Sequence, residues 1–138
     1  MTSSGEANKD VVRRFYAAFG AGGEAVRTLL HPAVHVYQQG ALTAQDAEQH
    51  LAGIDAWNVA FSATRFEILG QVAEEDVVAT QVVMHAVHDR APFSGREPSG
   101  AVVSIAGMSC ERVEGGLIVE RRVVSDGLGM LRQLGALP

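Results

Sequence analysis

The sequence predicts a single α+β domain, in which three helices near the N-terminus pack against a curved, mostly antiparallel sheet. Apolar residues recur at helical spacing before residue 60, and four segments rich in Val and Ile follow after residue 63. Helices first and strands afterwards are typical of α+β folds, whereas α/β folds alternate the two. A long, curved sheet packed on helices makes a cone with a pocket, so the fold itself predicts a cavity.

The first two helices are predicted before residue 31. Apolar residues that recur every four positions, among them Val11 and Phe15, predict a first helix over residues 7–20. Residues 24–30 predict a second, short helix. We expect Pro32 to end it, because proline cannot continue a helix.

A short strand and the third helix come next. Residues 33–38 predict the strand, and Gly40 supplies the turn that follows it. Thr43 is placed to cap the N-terminus of a helix over residues 44–60, which carries Leu51 on its apolar face.

The second half of the chain predicts four long antiparallel strands and a tail helix. The strand segments are residues 64–73, 76–88, 101–113 and 117–124. Turn-like residues separate them, and they are richest in Pro, Gly and Ser over residues 91–100. Three leucines predict a short helix over residues 127–136.

Composition limits the classes of function. The chain has 138 residues, 47% of them hydrophobic and 20% charged, which is ordinary for one globular domain over residues 1–138. Since the net charge is −5, a basic nucleic-acid-binding face is not expected. No apolar run approaches the roughly 20 residues that cross a bilayer, so we expect no membrane partner.

The sequence also predicts a cytoplasmic protein without metal or cofactor. The first ten residues lack the basic and apolar regions of a signal peptide, and the single cysteine, Cys110, cannot form an intrachain disulfide. His31 and His35 flank Pro32 and so do not form a helical zinc pair. There is no glycine-rich phosphate loop or Walker lysine.

Five strings, taken in order and spacing, carry a resemblance over nearly the whole chain. They are Phe15–Phe19, Ala60–Phe61 with Arg65–Ile68, Val72–Val78, Pro98–Gly100 and Arg112–Gly135. Together they resemble the SnoaL-like polyketide cyclase family, a member of the nuclear-transport-factor-like cone folds. The resemblance implies a cone-shaped α+β fold, an internal pocket, and a homodimer or homotetramer.

Two of the departures from the family pattern fall at candidate site residues. Arg122 stands where the family commonly has Trp, two residues after the Glu that matches Glu120. Arg112 stands where the characterised cyclases have His. Both departures separate this chain from the characterised cyclases.

Asp126 is the first candidate catalytic residue. The resemblance gives it the role of general acid/base. A carboxylate that faces an apolar cone is poorly solvated, which makes it a better base. The alternative is that Asp126 simply caps the tail helix.

Arg122 and His88 are the other catalytic candidates. On a regular strand, Arg122 shares a face with Ile118 and Asp126, where it can hold the carboxylate ionised or bind an enolate. The alternative for Arg122 is an ion pair with Glu120 at a rim or an oligomer interface. His88, one residue out of register with a family His, can orient Asp126 or protonate a carbonyl oxygen; otherwise it is a hydrogen-bonded structural residue.

Five residues are candidates for substrate binding. The resemblance places Tyr37 and Gln38 in a region that supplies polar groups to the pocket, and it places Arg112 at the cavity mouth. Trp57 and Met84 are plausible pocket walls, although core packing is the default role of both. Tyr37 is alternatively a rim residue, and Arg112 a solvated arginine at a hairpin end.

The function implied by the resemblance is ring closure of a hydrophobic, polyketide-like small molecule by intramolecular aldol condensation, in antibiotic biosynthesis or other secondary metabolism. The alternatives on the same scaffold are a cofactor-free hydroxylase, a steroid isomerase and an epoxide-opening enzyme. A small-molecule-binding or assembly module without catalysis is the non-enzyme alternative.

Overall fold

The computed structural model describes residues 3–137, with side chains from residue 5 onward. The helices are α1 (Ser3–Ala18), α2 (Gly23–Val26), α3 (Ala47–Ala60) and α4 (Gly127–Gln133). The strands are β1 (Leu30–Gln38), β2 (Ala41–Ala44), β3 (Phe61–Glu74), β4 (Val77–His88), β5 (Ala101–Glu114) and β6 (Leu117–Ser125). Short 3₁₀ turns over Phe19–Ala21 and Arg27–Leu29 flank α2.

All strands form one six-stranded sheet in the order β2-β1-β6-β5-β4-β3. Only β1 and β6 pair in parallel, and the other neighbours are antiparallel. The predicted α+β class and mostly antiparallel sheet are therefore confirmed. None of the helices in the described residues is both long and apolar enough to cross a bilayer.

The four long strands lie where the sequence predicts them, but the region before them differs. The second helix is a single turn, and β1 already begins at Leu30, so the prediction that Pro32 ends a helix is wrong. Pro32 lies inside β1, where the pairing with β6 is irregular between Leu30 and His35. Proline lacks the N–H that a regular ladder needs, and it is tolerated there because the pairing is irregular.

The third helix begins three residues later than predicted. Asp46, not Thr43, caps α3, and its carboxylate accepts a hydrogen bond from the backbone N–H of Gln49 at 2.9 Å. Thr43 instead lies in β2, a four-residue strand that forms a hairpin with β1 and that the sequence analysis did not predict.

The core occupies the inner face of the sheet, under α1 and α3. Phe15 from α1, Ile54 from α3 and Val78 from β4 are almost fully buried in the larger cluster. A second cluster surrounds Phe61, where α3 runs into β3. The indole of Trp57 stacks on the Phe61 ring with 3.9 Å between centroids, which fixes that wall of the interior.

A bulge in β6 decides which of its side chains face inward. Val113 pairs with Ile118, but Arg112 pairs with Glu120, so Val119 is the extra residue. A bulge of this kind reverses the alternation of the residues that follow it. Arg121 therefore joins Ile118 on the buried face, although the two are an odd number of residues apart.

Candidate functional site

A cavity of about 420 Å³ lies between the inner face of the sheet and helices α1, α3 and α4. Most of its wall is apolar, and its larger apolar side chains include Phe19, Ile54, Trp57, Phe66, Met84 and Met130. Three buried polar side chains, Tyr16, His50 and Arg121, interrupt that wall. The cavity is thus suited to a mainly hydrophobic small molecule with a polar group at one place.

Arg121 is the centre of this polar part of the wall. Its Nε donates to Glu111 Oε2 at 2.9 Å, and its Nη2 donates to the Tyr16 hydroxyl at 3.1 Å. Nη1 lies 3.0 Å from Nε2 of His50. The guanidinium also lies 4.2 Å from the centre of the Phe15 ring, a cation–π contact that helps to hold a buried cation.

Ser109 completes what we call the polar cluster: Tyr16, His50, Ser109, Glu111 and Arg121. The Tyr16 hydroxyl donates to Ser109 Oγ at 2.6 Å, and Ser109 donates to Glu111 Oε1 at 2.9 Å. Each hydroxyl hydrogen therefore has a definite acceptor. The members of the cluster are all less than one-tenth exposed, so these hydrogen bonds are largely shielded from solvent.

Burial shifts the ionisation of the polar cluster. Burial, followed by the charge of Arg121, lowers the pKa of His50 to about 3, so this imidazole is neutral at pH 7. Burial also raises the pKa of Tyr16. Burial raises the pKa of Glu111 as well, and the Arg121 guanidinium and the Ser109 hydroxyl oppose that effect.

Three of the predicted binding residues line the cavity. Gln38 lies at its exposed edge, and Trp57 and Met84 lie in its wall. The indole N–H of Trp57 donates to Thr64 Oγ1 at 3.0 Å, so this polar atom is already satisfied. Trp57 therefore offers the cavity an apolar ring face.

Asp126 lies at the rim of the cavity. Its neighbours Ser125 and Gly127 line the cavity, whereas the carboxylate is exposed and its Oδ1 accepts a hydrogen bond from Gly129 N at 2.8 Å. The structure therefore contains the helix cap of the alternative interpretation. The expected poorly solvated carboxylate inside the pocket is not found, because the Asp126 side chain is exposed and caps the N-terminus of α4.

The backbone next to Asp126 is firmly held. The Gln39 side chain donates through Nε2 to Ser125 O at 2.9 Å, and its Oε1 accepts from Ser125 N at 2.8 Å. The Asp126 N–H donates to Ala106 O at 3.0 Å. These bonds fix the direction in which β6 delivers the Asp126 side chain.

The prediction that Arg122 shares a face with Ile118 is wrong, because the bulge at Val119 turns Arg122 to the outer face. There its Nε donates to Glu120 Oε2 at 3.0 Å, and its guanidinium lies 3.9 Å from the centre of the Tyr37 ring. Neither Arg122 nor Tyr37 is among the residues that line the cavity. The outer-face ion pair is the alternative that the sequence analysis left open.

His88 and Arg112 also lie away from the cavity lining. The His88 ring is buried against Phe61, and its Nε2 lies 2.8 Å from the carbonyl oxygen of Ala91. Its contacts hold the start of the loop after β4. Arg112 makes two 2.8 Å hydrogen bonds to the carboxylate of Asp76 at a hairpin end, not at the cavity mouth.

The sequence analysis missed the polar cluster. One signal was present, because Ser109 and Glu111 share the inner face of β5 with the apolar residues Ile105 and Val113. A carboxylate on such a face predicts a buried cationic partner. Arg121 could not be identified as that partner without knowledge of the bulge in β6.

The described residues contain no group of three or more His, Cys, Asp or Glu side chains that could hold a metal ion. The buried polar side chains that line the cavity, Tyr16, His50 and Arg121, are hydrogen-bonding neutral or cationic groups.

Comparison with known proteins identifies relatives of this arrangement. The family model for SnoaL-like polyketide cyclase matches residues 10–134. No curated protein matches the sequence significantly.

Several solved structures share the fold. AclR from Streptomyces galilaeus, a candidate hydroxylase, is 24% identical, covers 95% of this chain and 97% of its own, and superposes with a TM-score of 0.84. IdmH from Streptomyces antibioticus, a candidate polyketide cyclase, is 27% identical over 93% of this chain and 98% of its own, with a TM-score of 0.81. An LEH-like epoxide hydrolase from M. tuberculosis is 14% identical over 96% and 92%, with a TM-score of 0.75.

Proposed function

Because this chain belongs to the SnoaL-like polyketide cyclase family, we propose that it closes a ring in a hydrophobic, carbonyl-rich small molecule by intramolecular aldol condensation, without a cofactor. The observation that carries the proposal is the cavity of about 420 Å³, whose apolar wall is interrupted by the donors of the polar cluster. An apolar cavity of this size with a few placed polar groups is typical of small-molecule sites.

The reaction needs a base, a place for negative charge and exclusion of water. A base removes a proton from the carbon next to one carbonyl, and the resulting enolate carbon forms a bond to a second carbonyl carbon of the same molecule. The new alkoxide then takes a proton back from the conjugate acid of the base. No external oxidant or reductant is consumed, so the protein supplies only positioning, proton transfer and charge stabilisation.

Asp126 is the base in this proposal. It is held at the cavity rim by fixed backbone, between two residues that line the cavity. Its Oδ1 is engaged by Gly129 N, which leaves Oδ2 for proton transfer. The polar cluster, through Arg121 and Tyr16, stabilises the oxygen on which negative charge develops.

The test compares wild type with Asp126→Asn on an anthraquinone-type β-keto ester, in air and under argon, with no cofactor added. Asn also caps helices, so this variant keeps the α4 cap and loses only the base. We expect ring-closed product from wild type in both atmospheres, and at least a roughly hundredfold slower reaction from the variant. Equal rates in the two proteins would contradict the role of Asp126.

A second candidate function is a binding module without catalysis, favoured by the exposed, helix-capping position of Asp126. It predicts that wild type and Asp126→Asn bind the β-keto ester equally and that neither converts it. The reaction under argon tests for a hydroxylase, the class described for AclR. Product that forms only in air would indicate an oxygen-consuming hydroxylase.

A further inference from the structure

The contact between Arg121 and His50 fixes the position of the imidazole hydrogen. A guanidinium has five N–H donors and no acceptor, so the 3.0 Å contact from Nη1 requires His50 Nε2 to accept. A neutral imidazole carries one hydrogen, which must then be on Nδ1. Burial lowers the pKa of His50 to about 3, in agreement with a neutral ring.

Nδ1 of His50 keeps some surface that the protein does not cover. Every buried side-chain nitrogen and oxygen within the described part of the chain has a hydrogen-bond partner, and the His50 ring is bonded to Arg121 through Nε2. Nδ1 is therefore not enclosed by protein. Since His50 lines the cavity, the donor is available to whatever occupies it.

The acceptors of the polar cluster are already in use. The Glu111 carboxylate receives hydrogens from Ser109 and Arg121, and the Tyr16 oxygen receives one from Arg121. The Tyr16 hydrogen is given to Ser109. The acceptor atoms of the cluster are therefore occupied within the cluster, and what remains for a ligand is N–H donors.

We propose that His50 Nδ1–H, together with the guanidinium of Arg121, forms a carbonyl-binding subsite that accepts one oxygen of the ligand at the buried wall of the cavity. The inference rests on the proposed function, and it deepens it by stating which part of the ligand is bound there. His50 is a binding residue, and Arg121 is also the positioning residue that selects its tautomer.

The charge of the cluster selects a carbonyl rather than a carboxylate. Glu111 lies 2.9 Å from Arg121 and neutralises it, so the subsite offers directed N–H groups without a net positive charge. A neutral carbonyl oxygen loses little hydration when it enters such a site, whereas a carboxylate loses much more. Charge that develops on the oxygen during enolisation is then stabilised by the same donors.

The first test is long-range ¹H–¹⁵N NMR on the imidazole of His50 in the ligand-free protein at pH 7. The proposal predicts a neutral ring with its hydrogen on Nδ1, which is the less common form for a free imidazole. A hydrogen on Nε2, or a doubly protonated ring, would overturn it. This measurement needs no turnover, so it can fail while the proposed function stands.

The second test compares two ligands of nearly the same shape, 2-acetylnaphthalene and 2-isopropenylnaphthalene, in which C=O is replaced by C=CH₂. We expect wild type to bind the ketone about tenfold more tightly than the alkene, because one hydrogen bond is lost and donors are left unpaired. Equal affinities for the two ligands in wild type would overturn the subsite, whether or not any variant folds.

Variants at residue 50 connect this preference to the imidazole. In His50→Gln the amide oxygen can accept from Arg121 while the amide N–H faces the cavity, so the ketone preference should be retained to within about threefold. His50→Leu removes both functions and should abolish the preference. A ketone preference that persists in His50→Leu would contradict the assignment. If wild type prefers the ketone but closes no ring, only the proposed function is contradicted.

Discussion

At the scale of single residues, the buried pair of Arg121 and Glu111 is the feature that organises the site. Their side chains are 4% and 0% exposed, so both charges are removed from water. Such a pair is tolerated only when its remaining donors and acceptors are satisfied. Here Tyr16, His50 and Ser109 supply those partners, and the same bonds place donors on the cavity wall.

His50 gives this arrangement a measurable pH dependence. Its pKa is lowered from 6.5 to about 3, so below pH 6.5 the unfolded chain binds a proton that the folded protein resists. The free energy of unfolding therefore falls as the pH falls from 6.5 to about 3. This group contributes a loss of about 1.4 kcal/mol per pH unit over that range. Urea unfolding of wild type and His50→Gln between pH 4.5 and 7 measures the effect.

The variant is the matched control, because it leaves unchanged Arg121, which contacts residue 50, and the Arg121 partners Glu111 and Tyr16. We expect wild type to lose about 2 to 3 kcal/mol more than His50→Gln between pH 6.5 and 4.5. Identical pH profiles would show that His50 is not held neutral by the fold.

At the scale of elements, close packing between the N-terminal segment and the sheet can be tested through glycines. A Cβ at Gly20 would lie 2.2 Å from the carbonyl oxygen of Thr64 in β3, so Gly20→Ala forces backbone to move. A Cβ at Gly53, inside α3, would have no neighbour within 4 Å. The same substitution therefore has opposite consequences at the two positions.

We expect Gly20→Ala to destabilise the fold by about 1 to 3 kcal/mol, as overpacking does. Gly53→Ala should stabilise it by up to about 1 kcal/mol, because alanine favours the helix. Thermal unfolding of wild type and both variants measures these differences in stability. If Gly20→Ala were as stable as wild type, the 3₁₀ turn Phe19–Ala21 and β3 would not pack as closely as described.

The elements also show what the sequence could predict. The four long strands were predictable because their apolar residues alternate and turn residues separate them. β2 was too short to produce a pattern, and Pro32 was misinterpreted because an irregular part of β1 removes its usual cost. The bulge at Val119 left no pattern in the sequence, and it reversed the faces assigned to Arg121 and Arg122.

At the scale of the whole molecule, the family and its fold were accessible from the order and spacing of several strings, whereas the polar wall of the cavity was not. The wall depends on residues far apart in the chain, such as Tyr16, His50 and Arg121, which only the fold brings together. The homodimer or homotetramer implied by the resemblance stays a prediction. Exposed Val102 and Val124 on the sheet show where an apolar contact is available for it.

The central claim is that ring closure takes place inside this cavity, and two tryptophan substitutions on α3 test it most directly. Ala56 lines the cavity, whereas Ala52 is also exposed on the same helix but is not among the lining residues. Ala56→Trp fills the space that the ligand needs, and Ala52→Trp is its control.

The measurement is the rate of ring closure of the anthraquinone-type β-keto ester under argon, for wild type and both variants. The account predicts about a hundredfold loss in Ala56→Trp, since a displaced substrate is no longer aligned with its base. Ala52→Trp should remain within about twofold of wild type, because a surface substitution away from the site changes little. Equal rates in the two variants would contradict the account, because the chemistry would then take place outside the cavity.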